Sequence, residues 1–503
     1  MNQLHQTSRD SRPSIFLAKL GTQPELAGLV PRLAELLPET RLLGIGVKGV
    51  DDSPHLKIVA HERQVVLGAF DPWWSEQLFV DPDLYVKIQP RESQLLRMVE
   101  RVARHDVFQV DTPSFPTEPF SDSFDGRSQL LLRQIAYWDW VIRTENVSAV
   151  VSQNLPHNFW DAVLHAVAEA REIPYLYFHE VRPFLSSLYV YERLEEMGNL
   201  DKCSELIRAA AASYSMMPDW VERKEFMRQQ VKESSALLHR AAGRRQTFSL
   251  ARRVRLLITP PRYIAFKLRR AARRRLQDAR SRRREDRVVQ SSSVPARYFL
   301  LELQIQGNAT NLVKGFMYGE TREMVAHVAH SLPEDCVLLV RESSRQGSRK
   351  QPRREAFWRQ LSALPKVQVI VDELNSRELL QKSLGLIELG YSSLALEAIN
   401  LDVPVVVLGL THLHGAPNSF VVTQSSSLPD VLRTVRDKSL NDVRSPETAQ
   451  IALEKWADTS RAATIQGSLT STPKNLDKDP EYCERIVNNV AQLVATWYRS
   501  RVG

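Results

Sequence analysis

The chain has 503 residues, 43% of them hydrophobic and 25% charged, which is the composition of a soluble globular protein and, at this length, of two domains plus connecting material. No stretch approaches the roughly 18 consecutive apolar residues of a membrane span, and the N-terminal "MNQLHQTSRDSRPSIFLAKL" has no apolar core of signal-peptide type, so the expected location is cytoplasmic. The formal charge of +8 is uneven: residues 240–287 carry 18 Lys and Arg against 3 Asp and Glu, a net of +15, so the rest of the chain stands at −7.

Taken in chain order, "SIFLAKL" (14–20) reads as a strand, "TQPELAGLVPRLAELL" as a loop entering a helix, and "RLLGIGV" (41–47) as a second strand. A helical stretch from about Ser128 to Glu145 leads to "VSAVVSQ", "NLPHNFWDAVLHAVAEARE" and "IPYLYFHE". That spacing is a strand, a helix and a strand of a parallel sheet. Trp160, Val163, Leu164 and Val167 fall on one helical face, with Asn158 as N-cap and Asp161 at the third helical position. This gives an N-terminal α/β domain over 1–200.

From 201 to 296 the character turns to helices and dense charge, ending in the Ser-rich "QSSSVPA". A second alternation follows over 297–503: "RYFLLELQ", "CVLLVRE", "VQVIVDE", "GLIELG" and "VPVVVLG" as strands, with "TREMVAHVAHSL", "RREAFWRQLSAL" and "SRELLQKS" as helices between them. An amphipathic final helix carries Ile486, Val490, Leu493, Val494 and Trp497 and is expected to belong to this second domain. The expected architecture is α/β, two Rossmann-like domains facing across a cleft, joined by a basic helical segment. Cys203, Cys336 and Cys483 lie far apart with no C-x-x-C spacing, which speaks against a disulfide framework or a zinc site.

In "GYSSLALEAI" the chain leaves a strand at Gly390 and starts a helix near Ser393. A serine there caps the helix, and the same free N–H groups suit a phosphate. Glu397, about one turn later, suits a ribose, because two adjacent hydroxyls can donate to two carboxylate oxygens. An ordinary N-cap and a surface glutamate would look the same. Two other strand exits tip the balance towards a nucleotide-sugar site: Gln304, Gln306, Asn308 and Thr310 follow one strand, and Arg341, Glu342, Ser343 and Ser344 follow the next.

With these residues in view, the chain resembles the capsule polysaccharide biosynthesis family of bacterial glycosyltransferase-like proteins, a group with the two-domain GT-B fold. "FLLELQIQGNAT" is similar to that family's strand followed by Leu-Gln-x-Gln-Pro-Glu-x-Thr, "SLPEDCVLLVRES" to its Leu-Pro and Val-Lys-Glu-His-Pro, and "GYSSLALEAINLDVPVVVLG" to its Gly-Thr/Ser, Glu-Ala, Pro-Val and Gly ending. "VVSQNLPHNFWDAVLHAVAEAREIPYLYF" is similar to its Pro-His segment at the start of a helix. The resemblance implies that Ser392, Ser393 and Glu397 contact the nucleotide of a donor, that Gln304, Thr310 and Arg341 line the same side, and that His157 faces them from the acceptor domain. Two positions depart from the pattern: Gly307-Asn308 stands for Pro-Glu, and Ser343-Ser344 stands for His-Pro. The second change removes a histidine able to bind a phosphate or assist a leaving group.

An inverting sugar transfer needs a base for the acceptor hydroxyl and stabilisation of the departing phosphate. His157 is the candidate base, with Asp161 and Glu180 as competitors at neighbouring element ends; His179 and the pair His412 and His414 also lie at strand exits. No cofactor or metal is implied, since the histidine pair has no acidic or cysteine partner close in sequence and GT-B enzymes generally need no bound metal. Residues 240–287 combine arginine with Leu256, Leu257, Ile258, Ile264, Phe266 and Leu268, which suits an anionic inner-membrane surface or a solvated interdomain helix pair. Nucleic acid is disfavoured as a partner because interleaved aromatics are missing.

The function expected from the sequence is sugar transfer from a nucleotide-activated donor to a polysaccharide or lipid-linked acceptor in surface polysaccharide biosynthesis. A GT-B-like scaffold or membrane-docking subunit without catalysis, and a CDP-polyol phosphotransferase, remain open alternatives at this level.

Overall fold

The structure is a computed structural model that describes residues 11–18, 28–46, 53–61, 80–104, 124–153, 155–156, 159–180, 187–197, 204–214, 294–303, 315, 318, 320–342, 355–370, 375–390, 392–460, 464–466 and 480–503. Elements are numbered over these residues, which fall into two compact units.

The first unit is built on β1 (Ser14–Ala18), β2 (Arg41–Gly46), β3 (Leu56–His61), β4 (Val147–Ser152), β5 (Tyr175–Glu180), β6 (Ser187–Tyr191) and β13 (Thr464–Gln466). They form one sheet in the order β13-β6-β5-β4-β1-β2-β3. β1 to β5 are parallel, and β6 and β13 run antiparallel at one edge. β1 is buried along its whole length, because a parallel sheet is covered on both faces. One face is packed by α4 (Phe124–Thr144) and α5 (Phe159–Ala170), where Phe16 meets Trp138 edge-on at 5.4 Å and Trp138 lies 5.9 Å from Trp160. α2 (Pro82–Ile88) and α3 (Glu92–Arg104) then pack on the outer side of α5. For this reason α5 is not the one-sided amphipath expected from its apolar spacing: every residue of it but Glu169 is buried, Asp161 and His165 included.

The other face of this sheet corrects the domain boundaries read from the sequence. α1 (Leu29–Leu36) and α13 (Pro480–Arg501) lie against each other there. Ile486, Val490, Leu493, Val494 and Trp497 of α13 share one core with Ile15, Leu17, Ala149, Val151, Leu176 and Phe178. The final helix therefore completes the first unit, not the second, and the chain returns to that unit from Ala457 onward. Its apolar stripe finds the sheet face that α1, with only 8 residues, leaves uncovered. α6 (Glu205–Tyr214), expected in the linker, likewise belongs here: Ile207 is 1% exposed in the same core.

The second unit carries β7 (Tyr298–Leu303), β8 (Val337–Glu342), β9 (Val367–Ile370), β10 (Gly385–Leu389), β11 (Val405–Leu408) and β12 (Ser419–Val422). All are parallel, in the order β12-β11-β10-β7-β8-β9. Counted from β7 as the first strand, this is the 3-2-1-4-5-6 order of the dinucleotide-binding sheet. α7 (Thr321–Ser331), α8 (Glu355–Ser362) and α11 (Leu428–Asn441) cover one face with a core that includes Phe299, Leu301, Val340 and Val406. α9 (Ser376–Lys382), α10 (Ser393–Asn400) and α12 (Pro446–Ser460) cover the other, over Leu300, Leu339, Leu386 and Val407. Both units are thus Rossmann-like α/β sheets, as expected. No helix among the described residues is long and apolar enough to cross a membrane.

Candidate functional site

In the second sheet the chain moves outward from β7 to β8 and β9, then returns to the opposite side of β7 with β10. Strand order therefore reverses between β7 and β10, and the crevice at the carboxyl ends of two such strands is where ligands of open α/β sheets bind. The connection from β10 into α10 emerges at that point.

Gly390 ends β10 at φ +74°, a left-handed conformation open to glycine, while its N–H donates to Leu408 O at 3.0 Å and so stays tied to β11. Ser392 then lies extended at φ −135° and caps α10, its Oγ accepting from Leu394 N at 3.1 Å. The cap expected from the sequence is present, one residue before the helix begins. Ser393 opens α10 and Glu397 follows four residues later, the spacing that shares a helix face. Glu397 is half-buried, whereas Leu394, Ala395, Leu396, Ala398 and Ile399 are buried in the core beneath.

The serine is held by a residue that the sequence reading passed over. Glu388, on β10 and 1% exposed, accepts from Ser392 Oγ at 2.5 Å and from Ser392 N at 3.3 Å. The single hydroxyl proton of Ser392 is therefore given to a carboxylate within the fold. A signal was available: in a strand expected to be apolar on both faces, "GLIEL" places one acid four residues before the serine.

Register puts further charge on the same sheet face. Glu302 of β7 pairs with Arg341 of β8, and Glu388 lies one residue past the paired Ile387 and Leu301. Glu388, Glu302 and Arg341 thus form a row across the three strands at the reversal, at their carboxyl ends. Arg341 is 5% exposed, and its Nη1 donates to Ser376 Oγ at 2.7 Å, at the start of α9. The loop leaving β7 reaches this place too: Gly315 lies against Leu389 so closely that a Cβ on it would stand 2.5 Å from Leu389 Cγ. Gln304 and Thr310, expected in that loop, lie outside the described residues, as do the departures at 307–308 and 343–344.

In the first unit the reversal falls between β1 and β4, where Gln153 N donates to Ala18 O at 3.2 Å. The connection from β4 to α5 contains His157, which lies outside the described residues together with Asn158. Asp161 is 3% exposed in the first turn of α5. Its charge adds to burial in pushing the Tyr175 hydroxyl well above the ordinary tyrosine value. Glu180 is the last residue of β5, opposite Leu188 of β6. His179 and His412 are buried and His414 is exposed. Among the described residues no three His, Cys, Asp or Glu side chains gather as a metal site would need. Cys336 is buried and Cys483 half-buried, neither in a disulfide; the basic segment 240–287 and Cys203 lie outside the described residues.

Residues 206–416 match the family described as capsule polysaccharide biosynthesis protein. That span holds every residue assigned above to a donor site and none of the three candidate bases. The resemblance read from the motifs of the second unit is met there. No curated protein matches the chain in sequence. Among solved structures it is similar to UDP-N-acetylglucosamine 2-epimerase from Rickettsia bellii, at 11% identity over 98% of this chain and 99% of that one with a TM-score of 0.24. It is also similar to the calicheamicin glycosyltransferase CalG4, at 11% identity over 90% and 96% of the two chains with a TM-score of 0.25. A third, the spinosyn rhamnosyltransferase SpnG, stands at 12% identity over 90% and 96% with a TM-score of 0.24.

Proposed function

We propose that this chain transfers a sugar from a nucleotide-activated donor to a polysaccharide or lipid-linked acceptor in the making of capsule or another surface polysaccharide. One observation carries the reading: a serine-capped helix, α10, leaves the sheet at its strand-order reversal, inside the segment that matches the capsule polysaccharide biosynthesis family. On this reading the first-turn N–H groups of α10 and Ser393 take the phosphates, and Glu397 takes the ribose hydroxyls. Arg341, Gln304 and Thr310 complete the donor side. Ser392 contributes by shaping the turn, since its proton is committed to Glu388.

The base for the acceptor hydroxyl is sought in the first unit, among His157, Asp161 and Glu180. The arginine-rich 240–287 would hold the protein at the cytoplasmic face of an anionic membrane, where a lipid-linked acceptor is presented.

Calorimetric titration with CMP, CDP, UDP and GDP tests the donor site, repeated on Glu397→Ala. Binding of one nucleotide, weakened by about 1 to 3 kcal/mol in the variant, is the expected outcome for a lost charged hydrogen bond. No binding of any of the four would replace the enzyme by a non-catalytic scaffold.

A further inference from the structure

We propose that Glu388 is the positioning residue of the donor site, setting the first turn of α10 through Ser392; this rests on the donor-site reading above. A carboxylate buried in the middle strand of a sheet is costly unless hydrogen bonds compensate it. Both bonds that tie it to Ser392, 2.5 Å from Oγ and 3.3 Å from N, cross the turn that contains Gly390. Ser392 Oγ is thereby gripped from two sides, donating to Glu388 and accepting from Leu394 N at 3.1 Å.

The consequence is a chain of fixed orientations. Glu388 is held by the strand, Ser392 by Glu388, and the Leu394 N–H by Ser392. The remaining first-turn N–H groups then present themselves at the reversal of strand order without reorganising when a phosphate arrives. Reach, not charge, is what Glu388 supplies. A glutamine retains the reach, its oxygen accepting from Ser392 N and its amide N–H donating to Ser392 Oγ, whereas an aspartate retains the charge and falls a methylene short of Ser392.

The full chain carrying Glu388→Gln, Glu388→Asp, Glu388→Leu or Ser392→Ala, together with the Glu388→Asp/Ser392→Ala double variant, is titrated with the nucleotide that wild type binds, and melting temperature is followed in parallel. Glu388→Gln is expected within about fivefold of wild type, as for a neutral acceptor replacing a charged one. Glu388→Asp and Glu388→Leu are expected to bind at least about tenfold more weakly, the scale of a lost hydrogen bond to a charged group. Adding Ser392→Ala to Glu388→Asp should cost less than the two single effects summed, because Glu388 acts through Ser392 while the alanine also removes the cap on Leu394 N.

Aspartate binding like wild type while glutamine binds poorly would overturn the proposal, as would full additivity of the two substitutions. So would a variant series in which melting temperature falls while the Kd of the folded protein holds. Tighter binding by Glu388→Gln would show a charge that opposes the ligand, and would overturn it equally. Should Glu388→Leu fail to fold, the aspartate and glutamine pair decides alone. Wild type that binds no nucleotide overturns the donor-site reading itself; wild type that binds while Glu388→Asp and Glu388→Leu bind equally well overturns only the role of Glu388.

Discussion

The indole Nε1–H of Trp497 donates to Glu192 Oε1 at 2.8 Å, joining positions 305 residues apart. Arg501 grips the same carboxylate with Nε at 2.5 Å and Nη2 at 2.6 Å. Ser148 Oγ and Tyr498 Oη add a bond of 2.9 Å two strands away, on β4. The last helix is thus fastened to the sheet it covers by directed bonds as well as by its apolar stripe. Burial works to raise the Glu192 acid, but Arg501 and Trp497 outweigh it and hold the acid below its ordinary 4.5.

Trp497→Ala should lower the stability of the first unit by about 3 to 5 kcal/mol in urea unfolding, the range for an emptied aromatic core site. Glu192→Ala should cost less, about 1 to 3 kcal/mol. Its share from Arg501 is reduced because that side chain is 41% exposed and screened by water. The sign with pH follows from the depressed acid: the stabilisation is present above pH 4.5 and is lost as pH falls below it. Equal stability of wild type and Trp497→Ala would mean that α13 does not form this core in solution.

A second titration lies inside the first unit. Arg91 Nη1 donates to His165 Nδ1 at 2.9 Å, so the ring is neutral with its proton on Nε2. The ring is packed at 5.2 Å from Tyr175 and 5.6 Å from Tyr177, while Arg91 Nη2 is paired with Glu169 at 2.5 Å. Burial first and Arg91 second push the imidazole down to about 3 from its ordinary 6.5. Between those values the unfolded chain binds a proton that the folded one refuses, so stability falls as pH falls from 6.5 towards 3. The slope from this group is up to about 1.4 kcal/mol per pH unit. His165→Phe should retain the aromatic packing and flatten the profile in that window, as read by urea midpoints at pH 7.5, 6 and 5. An unchanged slope in the variant would remove His165 as its source.

Asp139 forms a buried ionic centre in the same unit. At 1% exposure it accepts from Arg171 Nε at 2.7 Å and Arg143 Nε at 3.0 Å, and Arg171 Nη2 continues to Asp81 at 2.9 Å, the N-cap of α2. Asp139→Ala leaves Arg171 with Asp81 as partner and should destabilise by about 1 to 3 kcal/mol, the scale of lost charged hydrogen bonds, because Arg171 and Arg143 are 30% and 60% exposed and reach water. Asp139→Ala with Arg171→Leu should recover part of that loss. A fully additive double variant would contradict the coupling.

How much of this was legible in the sequence depends on what each residue type encodes. "YFLLEL", "VLLVRE" and "VVVL" announce themselves because strands covered on both faces read as continuous apolar runs, and the strand-to-helix exits at Ser392 and Arg341 follow from them. The stripe of α13 showed that one face is buried, but a stripe does not say against which sheet, and here proximity in sequence pointed to the wrong one. β13 has 3 residues, too few for a period to appear. Glu388 left only a faint mark, one acid in an otherwise apolar strand, because a glutamate there reads as solvated until the layers packed on the sheet close over it. The contact of Gly315 with Leu389 joins two connections far apart in sequence, and a lone glycine in a loop carries no mark of what stands above it.

That contact also supports the last prediction. Gly315 O accepts from Tyr318 N at 2.9 Å, and Tyr318 Oη shares a 2.9 Å hydrogen bond with His327 Nδ1 on α7. The end of the loop from β7 is therefore anchored on one side while Gly315 rests on Leu389, three residues before Ser392. A methyl group at 315 would stand 2.5 Å from both Cγ and Cδ1 of Leu389, well inside van der Waals contact. Either Leu389 turns or the loop lifts away from the end of β10. Gly315→Ala should therefore destabilise the second unit by about 1 to 3 kcal/mol, as overpacking does, and weaken nucleotide binding in calorimetry. Leu389→Ala in the same chain makes room for the methyl group and should restore binding more than stability, because it empties core volume while letting the loop settle. A Gly315→Ala protein that binds nucleotide as wild type does would show that the β7 loop takes no part in the donor site.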